Sequence, residues 1–260
     1  MLDAFGASHV PVPVTGGQGS TWRAGHLALK PVDDEEETLW RCALLDTVVE
    51  HGFRVSRPVR ARDGSWIVDG WTASRWVDGR PGPSGHWAEL LAAADAFMAA
   101  LRPVPRPDFL ERRSHWWAVA DRAAWSEHDL LVLPALAPVA ERLSALTAPA
   151  DAPSQLVHGD LAGNVLFEPR EAPAVIDLSP YWRPAAYALG IAVADGVLAH
   201  GEDAELVTLA AGRTSIPSVA RGALFRLLTL QQGLVDRGRA PDPADVAPYQ
   251  ALADILEQRR

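Results

Sequence analysis

One segment concentrates the residues able to do chemistry: Leu156-Val157-His158-Gly159-Asp160-Leu161-Ala162-Gly163-Asn164-Val165-Leu166-Phe167, followed by Val175-Ile176-Asp177. An acid, an amide and a second acid each stand at the edge of a short apolar run. The runs can be buried as strands while the polar side chains converge. Phosphoryl transfer needs such a set: a carboxylate that orients an attacking hydroxyl and takes its proton, and oxygen donors that hold Mg²⁺ against the β- and γ-phosphates. Asp160 suits the first task, Asn164 and Asp177 the second. The competing reading is a pair of turns in which Asp and Asn serve backbone geometry alone. It accounts for any one of these residues better than for the whole string.

Lys30 is the only lysine of the chain and Asn164 the only asparagine, against 23 arginines. This bias disfavours A-rich codons, so the survival of both residues asks why Arg or Asp would not serve in their place.

The elements that must position these residues follow from pattern. Residues 10–14 alternate with prolines like an edge strand, 15–19 form a glycine-rich turn, and 20–23 lead through Ala24-Gly25 into a strand at 27–30 that ends on Lys30. Pro31 breaks the ladder. The acidic run at 33–37 caps a helix whose apolar stripe is Leu39, Trp40, Ala43, Leu44 and Val48. Strands follow at 65–69 and 71–77, separated by Gly70. The stretch 78–85, with two prolines and three glycines, reads as a linker between a lobe at 1–77 and a lobe at 78–260. Beyond it the pattern predicts helices over 87–101, 114–125 and 134–146, short strands at 155–157, 165–167 and 174–176, and helices again after Pro184. The class is α+β.

Among 260 residues, 24 are basic and 33 acidic, for a net charge of −9 with no Lys/Arg-rich block. Nucleic acid and anionic membrane surfaces are therefore expected to be repelled. Residues 1–19 lack a basic start followed by an apolar stretch, and no run approaches the roughly 18 apolar residues that span a bilayer. The single cysteine, Cys42, excludes an intrachain disulfide and fits a reducing compartment. The expectation is a soluble cytoplasmic protein. The ten tryptophans do not make a nucleic-acid platform without a basic groove. Trp40, Trp66 and Trp76 are expected in the core, and Trp116, Trp117 and Trp125 are candidates for lining an acceptor pocket.

The His158-Gly159-Asp160 string, the Asn164-Val165-Leu166-Phe167 strand and the position of Asp177 resemble the aminoglycoside phosphotransferase and choline kinase group, relatives of the protein kinases. The strings Gly16-Gly17-Gln18-Gly19-Ser20-Thr21-Trp22 and Asp177-Leu178-Ser179-Pro180 look closest to an actinobacterial branch of that group. The resemblance implies a two-lobed protein-kinase-like fold, with an N-terminal antiparallel sheet plus one helix and a larger, mainly helical C-terminal lobe. It implies ATP and Mg²⁺ as cofactors and a small-molecule hydroxyl as acceptor, such as an amino sugar, an aminocyclitol or an amino alcohol. It makes Asp160 the catalytic base, Asn164 and Asp177 the metal ligands, and His158 a packing residue that orders the loop.

On the same resemblance Lys30 contacts the α- and β-phosphates and pairs with a helix glutamate, Glu37 or its neighbour Glu36. The turn containing Gly17 and Gly19 covers the phosphates with backbone N–H groups, and the segment from Arg75 to Val77 offers backbone groups to adenine. Two departures stand out. Three residues, not the four of protein kinases, separate Asp160 from Asn164, and the stretch after Asp177 lacks the protein-kinase glycine and any Ala-Pro-Glu string. Protein kinase activity is therefore not expected. Two alternatives stay open: a nucleotide-binding pseudokinase acting as sensor or scaffold, and, more remotely, a metal-dependent hydrolase using His158, Asp160 and Asp177. The acids Glu127, Asp129, Asp195 and Glu202 either meet an ammonium group of the acceptor or face water.

Overall fold

In the computed structural model, which describes residues 1–14, 20–150 and 152–260, the chain divides into two units. Unit one is Met1–Gly82 with Gly163–Leu178; unit two is Pro83–Ala162 with Ser179–Arg260.

Unit one begins with β1 (Val12–Pro13), β2 (Trp22–Ala24), β3 (Leu27–Pro31), α1 (Glu35–Thr47), β4 (Arg54–Val55), β5 (Ile67–Val68), β6 (Trp71–Arg75) and β7 (Arg80–Pro81). A sheet of order β1-β2-β3-β6-β5 is antiparallel throughout. The β5–β6 connection is the two-residue turn Asp69-Gly70, both at positive φ (53° and 75°), the primed geometry that matches strand twist. Ala24, Leu27, Leu29 and Ala73 project from this sheet into a core closed by Phe5 and Ala61.

Helix α1 starts where the acidic run predicts, with Asp34 as N-cap accepting from the Glu37 N–H at 2.8 Å. The expected stripe holds only in part: Val48 is buried and Trp40 and Leu44 are half-buried, but Leu39 is 39% exposed, and the residues buried within the helix are Thr38 and Cys42, with Cys42 Sγ packed on Thr72 Oγ1 of β6 at 3.7 Å. Trp66 is buried as expected. Trp76 is only half-buried, its indole N–H on Asp78 and its ring under the Arg23 guanidinium.

The expected linker contains a strand. β7 pairs with β9 (Val165–Phe167), which pairs with β10 (Ala174–Val175), itself parallel to β4, giving the order β4-β10-β9-β7. Composition alone suggests a boundary at Val77; this ladder carries unit one to Gly82 and returns 163–178 to it.

Unit two holds α2 (Trp87–Leu101), α3 (Phe109–Arg112), α4 (Trp116–Ala124), α5 (Ala137–Ala145), β8 (Gln155–His158), β11 (Pro180–Arg183), α6 (Ala185–Ala199), α7 (Ala204–Leu209), α8 (Ile216–Asp236) and α9 (Pro243–Glu257). In α2, Leu90, Leu91, Ala94, Phe97, Met98 and Leu101 recur at helical spacing and are buried. β8 pairs with β11 from Pro180↔His158 to Arg183↔Gln155, so it does not form a hairpin with β9. Helices α6 and α8 meet backbone to backbone: a Cβ on Gly190 would lie 2.5 Å from the Ser218 carbonyl oxygen, and one on Gly222 would lie 2.8 Å from Ile191 Cα. Only glycine permits this crossing.

Candidate active site

In unit one, β3 alternates, with Leu27 and Leu29 buried and Lys30 partly exposed on the other face. Lys30 Nζ is ion-paired to the Asp177 carboxylate. Asp177 follows β10 and sits at φ 50°, a left-handed conformation that Asp tolerates better than most residues but that is uncommon for any non-glycine residue. The Ile176 N–H donates to the Asn164 carbonyl at 2.9 Å. Asn164, at the start of β9, thus lies opposite the residue that precedes Asp177. The β9–β10 pairing therefore sets Asn164 beside the residue before Asp177, and the ion pair brings Lys30 from the other sheet to Asp177. One carboxylate and one amide are hard oxygen donors, suited to a Mg²⁺ ion that keeps water and phosphate oxygens as its remaining ligands. The residues present fit the ion.

The other unit-one candidates fare unevenly. Glu37 lies 3.7 Å from Arg41, one turn along α1. The Arg75 N–H donates to the Arg57 carbonyl at 2.7 Å and the Arg75 carbonyl accepts from Ser56 Oγ at 2.7 Å, so its backbone is committed to the neighbouring segment. Arg75 and Val77 both line an open groove of about 460 Å³ whose wall includes Arg54, Arg57, Glu168 and Glu171. Val55 and Trp76 line it as well, so its wall mixes charged and apolar side chains. Gly17 and Gly19 lie outside the described residues.

In unit two the antiparallel pair of β8 and β11 flanks the His158-Gly159-Asp160 string. His158 is fully buried. Its Nδ1 accepts from the N–H groups of Asp160 (3.1 Å) and Ser179 (3.4 Å), which leaves the ring proton on Nε2. Phe97 meets the ring edge-on. The histidine thus orders the loop, the part the resemblance gives it. Gly159 donates its N–H to the Ser179 carbonyl at 2.9 Å. A Cβ here would stand 2.4 Å from two ring carbons of Tyr181, so the residue type is dictated by close approach.

Asp160 keeps 45% of its side chain exposed and accepts a hydrogen bond from Arg226 Nη2 at 2.7 Å. Arg226 is also paired with Asp195 on α6. Burial pushes the Asp195 carboxyl above its ordinary value, with Arg226 opposing. Burial also works against the Arg226 charge, but the Asp195 and Asp160 carboxylates more than offset it, and the guanidinium stays protonated.

Two acids considered for an ammonium group therefore have arginine partners inside unit two: Asp195 with Arg226, and Glu127 with Arg183 at 2.6 Å. Arg183 also holds the buried Asp121. The guanidinium groups of Arg183 and Arg221 both lie over the Trp125 ring, which meets Tyr187 edge-on and belongs to this internal cluster. Trp116 and Trp117 pack edge to face at 4.7 Å. The part played by Arg226 was not read from the sequence; the available signal was a charged residue within the apolar run Ala223-Leu224-Phe225-Arg226-Leu227-Leu228.

Among the described residues no helix is long and apolar enough to cross a membrane. A family model described as "Phosphotransferase enzyme family" matches residues 21–225. No curated protein matches the chain. Among solved structures, the chain resembles a spectinomycin phosphotransferase in complex with ADP and spectinomycin, at 14% identity over 96% of this chain and 92% of that one, with a TM-score of 0.60. It also resembles choline kinase LicA from Streptococcus pneumoniae, at 11% identity over 99% and 96%, with a TM-score of 0.61. A thermostable mutant of the aminoglycoside phosphotransferase APH(4)-Ia, in a ternary complex with AMP-PNP and hygromycin B, is 17% identical over 98% and 96%, with a TM-score of 0.56.

Proposed function

The chain belongs to the phosphotransferase enzyme family as a small-molecule kinase of α+β, two-lobed fold, and from that premise we propose that it passes the γ-phosphate of ATP to a hydroxyl of an amino sugar, an aminocyclitol or an amino alcohol. The reading is carried by one observation: the chain's only lysine is ion-paired to Asp177, the acid expected on the metal. Lys30 directs its ammonium to the α- and β-phosphate oxygens. Asp177 and Asn164 hold Mg²⁺, which when bound neutralises phosphate charge. Asp160 accepts a hydrogen bond from the acceptor hydroxyl, orients it toward the phosphorus and takes its proton as the new P–O bond forms and the bond from the γ-phosphorus to the bridging oxygen breaks, with ADP leaving. Val77 offers backbone groups to the adenine. The similar solved structures, one holding ADP and spectinomycin, one holding AMP-PNP and hygromycin B, and one a choline kinase, support this range of ligands.

The test is ADP release from Mg·ATP across a panel of amino sugars, aminocyclitols and amino alcohols. Release that appears only with an acceptor and disappears in Asp160→Asn is the expected result. Nucleotide binding without release across the panel would favour the pseudokinase; no binding of any nucleotide would overturn both readings.

A further inference from the structure

Arg226 carries more contacts to the catalytic string than a packing residue needs. Its Nε donates to Asp195 Oδ1 at 2.7 Å and its Nη2 to Asp195 Oδ2 at 2.6 Å, a side-on bidentate pair. The second hydrogen on Nη2 is directed at Asp160 Oδ1, 2.7 Å away, with the Gly159 carbonyl at 3.4 Å. The burial is graded along this chain: side-chain exposure is 13% for Asp195, 16% for Arg226 and 45% for Asp160. A buried ion pair is a poor device for stability, because an apolar pair of similar volume commonly does as well or better. A rigid arm that ends on an accessible carboxylate is a better account of it.

The fold explains how the arm is fixed. The glycine crossing of α6 and α8 at Gly190 and Gly222 brings the helices to backbone contact. Asp195 and Arg226 lie about one turn further along the same helices. Phe225 carries the Arg226 guanidinium over its ring at 5.2 Å and meets Tyr181 edge-on, and Tyr181 closes on Gly159. The loop before Asp160 and the carboxylate itself are thus clamped from one helix.

We propose that Arg226 is the positioning residue for Asp160, with Asp195 as the buried counter-ion that fixes the guanidinium. This rests on the reading of Asp160 as the group that meets the acceptor hydroxyl. Arg226 touches neither nucleotide nor acceptor in this scheme; it sets the rotation of the Asp160 carboxylate.

Two variants test it. Arg226→Lys keeps the charge but loses the planar fork that serves two carboxylates at once. Arg226→Met with Asp195→Asn removes both buried charges, so that neither is left unpaired. Turnover is read as ADP release from Mg·ATP, with water and with each compound of the acceptor panel, beside ADP affinity by calorimetry, melting temperature and a crystal structure of each variant. The expected result is kcat lowered roughly 10- to 100-fold, the scale for a displaced catalytic group. Acceptor KM and ADP affinity should stay within about twofold. Arg226→Lys should retain more activity than the double variant, and the Asp160 carboxylate should be rotated away from its wild-type position in the latter. Unchanged kcat in both variants, or kcat and ADP affinity falling together with the melting temperature, would overturn the proposal. If wild type releases no ADP with any acceptor, the kinase reading is what fails. The crystal structures then decide this inference: an Asp160 side chain unmoved in the double variant overturns it, and a rotated one supports it.

Discussion

Lys30 and Asp177 form an ion pair, joining the chain's single lysine to the carboxylate of a residue at φ 50°. Binding of Mg·ATP as proposed must part them, the ammonium moving to phosphate oxygens and the carboxylate to the cation. A compact ammonium suits that exchange; a broad guanidinium does not. Lys30→Arg is therefore expected to weaken nucleotide binding nearly as much as Lys30→Ala. Calorimetry showing unchanged ATP affinity in the Arg variant would remove Lys30 from the site.

Asp160 and Asp177 belong to different steps and should separate in experiment. Asp160→Asn is expected to leave Mg·ATP binding nearly intact while lowering turnover about a hundredfold or more, the usual scale for a lost general base. Asp177→Asn should weaken the metal-dependent part of nucleotide binding. Mg²⁺ and ATP together, at a hundred times their dissociation constant, should add about 2.7 kcal/mol, or roughly 5–10 °C of melting temperature for a chain of this size. That shift should vanish on chelation of Mg²⁺ and in Asp177→Asn. The reverse pattern in the two variants would overturn the roles assigned.

Gly159→Ala places a methyl group 2.4 Å from the Tyr181 ring. Overpacking of this kind costs about 1–3 kcal/mol, and here it also pushes on the residue before Asp160. The expected outcome in urea denaturation is a loss in that range, with Tyr181→Leu recovering part of it in the double variant. Equal losses in both backgrounds would separate Gly159 from Tyr181.

The Arg183 cluster predicts an acid limb of defined sign. Its hydrogen bonds from Arg183 hold the Glu127 carboxyl below its ordinary value of 4.5. Its contribution to stability is present above that value and is lost as pH falls through the lower, folded-state value. Burial pushes the Asp121 carboxyl the other way, so its own contribution is present at low pH and lost as pH rises. Glu127→Gln should flatten the fall in melting temperature below about pH 4.5. Parallel curves for variant and wild type would show that Glu127 does not govern this limb.

What the sequence made legible depended on range. Helix α2 falls on the predicted span because an amphipathic period is a local signal, and β9 falls on Val165–Phe167 for a similar reason. Lys30, Asn164 and Asp177 could be picked out because each stands at the edge of an apolar run. The strands β4, β7 and β11 carry no such signal. β4 and β7 are two residues long, and their partners lie far away in sequence, as in Arg54↔Ala174 and Arg80↔Phe167. Pro180 opens β11 beside a turn and masks it. The Asp160–Arg226 contact spans 66 residues and depends on a crossing that two glycines permit, so neither residue announces the other. The apolar stripe of α1 misled at Leu39 because the smaller Cys42 is the residue that packs on Thr72 of β6.

The ladder β4-β10-β9-β7 also has a consequence for how the chain is made. Unit one needs residues 163–178 to complete its second sheet, yet residues 83–162 of unit two leave the ribosome first. Until Leu178 emerges, β4 and β7 lack β10 and β9, and an unpaired strand edge is a template for wrong partners. A fragment ending at Gly82 would keep both edges bare. The chain passes between the two units three times, after Gly82, after Ala162 and after Leu178, so no single proteolytic cut yields either unit whole.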